Sequence, residues 1–393
     1  MTQGAESSRE SGGSVSTVAV VRCDSYDEEN VQSAIDRGLA LLGGVESFVR
    51  PGEKLLLKPN LLVGGKPSRV ITTHPSVFGA VARAFQAASA TLSFGDSPGF
   101  GKPEMAAQRA GLLSVARELG IPCADFSHGD VVSFPEGMQN KQFTIARGVL
   151  AADGIVSLSK LKTHGLTRIT GAIKNQFGCI PGTLKAEFHA RLPMVDAFSQ
   201  MLVDLNRYLA PRLFVMDGIQ AMEGNGPRNG TPRKMDVLLF SQDPVAIDAT
   251  VCRIVNLDPS LVLPITYGVQ FGLGRKDGIQ YVGDPLESFV QRDFKVNRSK
   301  LSTTEEPGRA SRLMRRFVVP KPYIRESKCT KCGTCVSVCP VSPKAIEFRG
   351  AGRAHPPVHD YSRCIRCYCC QELCPEGAIE ISTPLLGHLI HRR

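Results

Sequence analysis

The chain has 393 residues, 42% of them hydrophobic and 21% charged, which suits a soluble globular protein with one large core and room for a small appended domain. It contains no run of about 18 consecutive apolar residues, which argues against a membrane span. The net charge is +10, but residues 1–290 balance at 28 basic against 28 acidic, and residues 291–393 hold the whole excess at 19 against 9.

Residues 1–16 are polar and rich in glycine and serine, without the apolar core of a signal peptide, and read as a disordered leader on a cytoplasmic protein. From residue 17 short β-branched runs alternate with helical stretches. Strands are predicted at 17–23, 55–57 and 91–94, and helices at 27–42, 75–90 and 104–119. Residues 131–134 and 142–145 read as a hairpin or edge pair. Strands follow at 154–159, 213–216 and 237–240, with an amphipathic helix at 194–209 and another helix at 244–255. The alternation implies an α/β fold, a mostly parallel sheet flanked by helices, spanning residues 17–290. Residues 257–290 are less regular. Residues 291–325 read as a basic linker, and the short apolar tail at 385–390 reads as packing on the C-terminal domain.

In a parallel sheet, ligands bind at the carboxyl ends of the strands, and four predicted ends carry polar clusters. They are Lys58 with Asn60; Asp96 with Ser97; the run from Ser159 to His164; and Asp217 through Glu223. The densest basic stretch, residues 159–185, holds Lys160, Lys162, His164, Arg168, Lys174, Asn175 and Lys185 and no acid. Its glycines allow close backbone approach, and its cations favour a small anionic ligand such as a carboxylate or phosphate. It lacks the spacing of a P-loop or of a dinucleotide fingerprint. Lys160, Lys162, His164, Lys174, Asp217 and Glu223 are the candidate catalytic groups, with Asp217 and Glu223 suited to acid/base work or a divalent metal. Lys58, Asn60, Asp96 and Asn175 are candidate ligand-binding residues. Residues 223–233 read as a loop, Asp243 and Asp248 as turn and helix-start residues, and His74 and His189 as structural histidines.

The last quarter carries the sharpest signal. Cys329, Cys332, Cys335 and Cys339 with Pro340 spell C-x2-C-x2-C-x3-C-P, and Cys364, Cys367, Cys370 and Cys374 with Pro375 repeat it 35 positions later. That is the spacing of two-cluster bacterial ferredoxins, in which the fourth cysteine of each motif ligates the other motif's cluster. The expectation is two [4Fe-4S] clusters in an α+β domain at 326–393. One would be held by Cys329, Cys332, Cys335 and Cys374, the other by Cys364, Cys367, Cys370 and Cys339. Cys369 offers an alternative to its neighbour Cys370, but the spacing and the repeat favour Cys370. The remaining scattered cysteines, Cys23, Cys123, Cys179 and Cys252, read as buried hydrophobes of a cytosolic protein. The local basic excess suits an acidic redox partner protein, while nucleic acid is disfavoured because no binding motif or aromatic interleaving appears.

The large domain resembles the DUF362 family, whose members often end in a ferredoxin domain. The likeness is carried by Lys58 to Leu61, Asp96 and Ser97, Ser159 to His164, Gly171 to Gly178, Asp217 and Gly218, Glu223 to Pro227, and Asp243 to Asp248. The resemblance supplies no activity for the large domain. Two readings stand: an iron–sulfur oxidoreductase acting on an anion at the large domain, and a non-enzymatic electron carrier or redox-sensing binding protein.

Overall fold

The near-continuous apolar runs of the early strands fit a sheet buried on both faces. In the computed structural model β1 (Thr17–Arg22) sends Val18 and Val20 into one core and Ala19 and Val21 into the other. β2 (Lys54–Pro59) does the same, with Leu56 on one face and Leu55 and Leu57 on the opposite one. This is the period-2 alternation of a strand. The model describes residues 15–182, 184–299, 320–350, 352–382 and 384. Residues 1–14 of the expected leader, 300–319 of the expected linker and the apolar tail lie outside them.

The chain continues through β3 (Thr91–Phe94), the antiparallel hairpin β4 (Gly129–Ser133) and β5 (Gln142–Ala146), β6 (Gly154–His164) and the short β7 (Arg168–Ile169). Then come β8 (Leu213–Glu223), β9 (Thr231–Ser241) and β10 (Gln280–Gly283). The main sheet runs β10-β1-β9-β8-β6-β2-β3, with β7 added at the end of β6. Pairings β1/β10, β2/β3, β2/β6 and β6/β8 are parallel, and β9 runs antiparallel to β1 and β8. The carboxyl ends of β8, β6, β2 and β3 therefore share one rim.

Three local readings change. The helix expected at 104–119 is two helices, Pro103–Arg109 and Leu112–Glu118, broken at Gly111, whose φ of 77° is left-handed. β6 runs on to His164, so the basic segment expected after the strand is part of it. β8 reaches Glu223 and β9 begins at Thr231, which reduces the expected loop to the turn between them. Both extensions arise because β6, β8 and β9 continue pairing past a bulge, forming a ribbon that stands above the sheet.

The C-terminal unit is built from two small antiparallel pairs, β11 (Lys321–Ile324) with β14 (Ile379–Ser382) and β12 (Ile346–Glu347) with β13 (Val358–His359). Its helices are Thr334–Ser337 and Cys369–Leu373. It docks on the ribbon turn: Arg228 Nη1 donates to the Leu373 carbonyl at 2.7 Å, Asn229 Nδ2 to the Cys374 carbonyl at 3.1 Å, and Gln371 Nε2 to Asn225 Oδ1 at 2.6 Å. Among the described residues no helix is long and apolar enough to cross a membrane.

Candidate functional site

A cavity of about 540 Å³ lies where the carboxyl rim faces the C-terminal unit. The large domain lines it with Asn60, Asp96, Lys162, His164, Lys174, Asn175, Lys185 and His189, and the C-terminal unit with Cys339, Pro340, Cys369 and Glu372. Strand periodicity explains part of this set. Lys162 and His164 are two residues apart on β6 and so lie on one face, the cavity face.

Beneath the cavity is a buried polar floor. Lys58 Nζ donates to Asp96 Oδ1 at 2.8 Å and to Asn175 Oδ1 at 3.2 Å, and Asp96 Oδ2 accepts from the Leu61 N–H at 2.8 Å. Lys162 Nζ donates to Asn60 Oδ1 at 2.6 Å and to the Ile71 carbonyl at 2.5 Å, while Asn60 Nδ2 donates to Asn175 Oδ1 at 3.1 Å. Lys185 Nζ donates to Ser97 Oγ at 2.5 Å and to the Ile180 carbonyl at 3.0 Å. Burial lowers Lys162 and Lys185 to about 7 each, within reach of neutrality. Gly178 closes the floor. A Cβ there would fall on Asp96 Oδ1 and come within 2.9 Å of Lys58 Nζ. Gly178→Ala is expected to destabilise the large domain by about 1–3 kcal/mol, the cost of overpacking a filled site. A lowered thermal midpoint checks this.

The short helix Gly171–Asn175 presents Lys174 and Asn175 because Asp248 holds its start. The Ala172 and Ile173 N–H groups donate to Asp248 Oδ1 at 2.6 Å and Oδ2 at 3.1 Å. Asp248 thus caps a different helix from its own. Asp243 caps Pro244–Ile254, accepting from the Val245 N–H at 2.8 Å and the Ala246 N–H at 3.0 Å.

At the outer end of β6, His164 Nδ1 accepts from the Leu166 N–H at 3.0 Å and the Thr167 N–H at 3.3 Å, so the neutral ring carries its proton on Nε2. Burial, reinforced by Lys174, lowers the ring to about 4 and keeps it neutral. Nε2 lies 3.3 Å from Glu372 Oε2 without hydrogen-bond alignment. Thr170 Oγ1 is a buried polar atom in the cavity wall that lacks a hydrogen-bond partner among the described residues. Burial raises the Glu372 carboxyl, but Lys174 and His164 outweigh it and the net shift is down.

Not every predicted residue reaches this cavity. Lys160 turns inward to Asp217, 2.9 Å away, and donates to Tyr26 Oη at 2.7 Å, while Tyr26 donates to Asp217 Oδ1 at 2.8 Å. Asp217 also accepts the His74 N–H at 3.0 Å, so its oxygens are occupied by the protein. Glu223 accepts the Lys295 N–H at 2.9 Å and does not line the cavity. Lys160, Asp217 and Glu223 therefore lie outside the cavity, held by one another, Tyr26 and the His74 and Lys295 backbone. Conversely, Glu372 and the orientation of Cys369 escaped sequence reading, and His189, read as structural, lines the cavity while stacked on Phe198 at 4.5 Å. The alternation of Lys160, Lys162 and His164 was the available signal for a strand face rather than a loop.

The eight motif cysteines gather in two smaller cavities. One is lined by Cys329, Cys332, Cys335 and Cys374 beside Ile324 and Ile379. The other is lined by Cys339, Cys364, Cys367 and Cys370 beside Ile346 and Tyr368. Cys369 lines neither and faces the large cavity.

A model of a domain of unknown function, DUF362, matches residues 55–253, and a 4Fe-4S dicluster domain matches residues 321–381. Thylakoid-associated protein sll1697 of Synechocystis sp. is 36% identical over 260 residues, covering 66% of this chain and 80% of that protein. The chain belongs to the DUF362 family. Among solved structures, the lactate racemase apoprotein of Thermoanaerobacterium thermosaccharolyticum aligns over 60% of this chain and 56% of its own, with 8% identity and a TM-score of 0.39. A Thermotoga maritima protein aligns over 57% of each chain, with 13% identity and a TM-score of 0.32.

This DUF362 protein is thus an iron–sulfur electron-transfer protein, and its cysteine cavities fit that chemistry. Burial pushes the Cys335 thiol up to about 12 and Cys370 well above the ordinary range, while Cys332 and Cys367 are lowered; a bound metal cation favours the thiolate. Apolar neighbours flank both sets, while Cys332 is exposed.

Proposed function

We propose that this DUF362 protein holds two [4Fe-4S] clusters in its C-terminal module and exchanges electrons with a small anion bound in the cavity between module and large domain. The observation that carries the reading is Cys339. It stands in the wall of the large cavity and also in the second cysteine cavity, so the electron-carrying side and the ligand side share one residue. Crossed ligation is the natural assignment, since each four-cysteine cavity draws its fourth member from the other motif. Each bound cluster supplies or accepts one electron at a time.

The chain's own residues divide the remaining work. Lys162, Lys174 and Lys185 attract the anion; Asn60, Asn175 and the Lys58–Asp96 pair fix the position of Lys162, and Ser97 that of Lys185. Phe100 and Phe177 narrow the space for water. Thr170 Oγ1, a buried hydroxyl in the cavity wall with no partner among the described residues, supports a ligand that completes its hydrogen bonding.

Two measurements test the reading. Anaerobically purified protein should contain about eight irons per chain. After reduction it should be reoxidised by a true anionic substrate, and Lys162→Met with Lys174→Met should slow that step about tenfold or more per lysine. Unchanged rates in the double variant would move the site elsewhere; saturable anion binding without any electron exchange would favour the binding-protein reading. Anion affinity should also weaken as pH rises through about 7, where Lys162 and Lys185 lose their protons. The limit is about tenfold per pH unit for each lysine. A flat binding profile between mildly acidic and mildly alkaline pH would contradict this.

A further inference from the structure

The charge balance of the cavity narrows the ligand further. Lys58 is matched by Asp96 at 2.8 Å. Lys162 and Lys185 have no such match. Among the described residues neither lies in an ion pair, and each donates only to neutral oxygens: Asn60 Oδ1 and the Ile71 carbonyl for one, Ser97 Oγ and the Ile180 carbonyl for the other. An ammonium has three donors, so each lysine retains one. Both side chains are buried, where a charge is normally paired.

The two lysines are also apart. Lys162 is moored to the segment following β2, and Lys185 to the end of β3 and the loop before its own helix. Phe177 contributes apolar wall to the same cavity.

We infer that the cavity takes a small ligand with two separated anionic groups on a short, largely apolar linker, one group at Lys162 and the other at Lys185. This rests on the anion-site reading above and specifies its substrate class. A ligand with one anionic group leaves one of the two lysines with neutral partners only, whereas Lys58 in the same floor has Asp96.

The test is calorimetric titration of the anaerobically purified full chain with linear dicarboxylates from oxalate to adipate, with phosphoglycolate, and with monocarboxylates of matched length. At least one dianion should bind about tenfold or more tightly than its matched monoanion. Lys162→Gln and Lys185→Gln should each cut dianion affinity about tenfold while leaving monoanion binding at the remaining lysine. Lys162→Arg and Lys185→Arg, which keep the charge, should retain part of the preference. Equal affinity for a dianion and its matched monoanion across the series overturns the two-anion inference and leaves the anion site standing. Failure of every anion in the series to bind removes both. The ligand series needs no variant, so a substitution that misfolds does not decide the matter.

Discussion

Cys339→Ala should remove the cluster of the second motif, although Cys339 belongs to the first. Cys374→Ala should do the reverse. The expectation follows from the two cavities, in which Cys339 sits with Cys364, Cys367 and Cys370, and Cys374 sits with Cys329, Cys332 and Cys335. Each variant should lower the iron content from about eight to about four per chain. Their consequences differ, because only Cys339 also lines the ligand cavity. Cys339→Ala should abolish electron exchange with the bound anion, whereas Cys374→Ala should retain some. The first cysteine set includes the exposed Cys332 and does not line the ligand cavity. Cys369→Ala should leave the iron content unchanged, since Cys369 lines neither cysteine cavity. Electron paramagnetic resonance on the reduced variants decides the ligation. If Cys339→Ala and Cys329→Ala lose the same signal, the crossing is wrong.

The parts of this molecule legible in the sequence are those in which one local pattern decides the outcome. The apolar runs of β1 and β2 have no alternative to a buried sheet, and Asp243 before Pro244 marks a helix start by capping chemistry alone. The cysteine repeat names its cofactor by spacing. What local pattern hides is burial of charge. Lys160 and Lys162 read as catalytic candidates in a basic segment after the strand, yet both are buried within β6, because partners distant in sequence receive them: Asp217 for one, Asn60 and Ile71 for the other. The single helix expected over 104–119 failed at Gly111, where a left-handed backbone outweighed the continuous helical periodicity on either side. Glu372 was invisible for a different reason. Its importance comes from the docking of one unit on another, which brings its carboxylate to His164, and no spacing in the chain encodes that contact.

Lys58→Met should cost about 3–5 kcal/mol, the largest stability effect expected of any single side chain at the site. Lys58 and Asp96 are both buried, with Nζ and Oδ1 2.8 Å apart. A pair of this kind contributes little net stability compared with two apolar residues, since desolvation offsets attraction. Removing one member is different, because a carboxylate stays in a low-dielectric site without its counter-charge. Here the loss extends further. Lys58 also donates to Asn175 Oδ1, which accepts from Asn60 Nδ2, and Asn60 Oδ1 in turn accepts from Lys162. Lys58→Met therefore loosens the residue that positions a ligand-binding ammonium, and anion affinity should fall together with stability. Adding Asp96→Leu separates the two effects. The double variant should regain much of the stability, short of the wild type because the Leu61 N–H loses its acceptor. It should not regain affinity, because the Asn175–Asn60–Lys162 chain still lacks its anchor. Thermal unfolding and anion titration of the three proteins give the comparison. A Lys58→Met protein as stable as the wild type, or a double variant less stable than the single one, would show that the pair is not the uncompensated-charge problem that its burial implies.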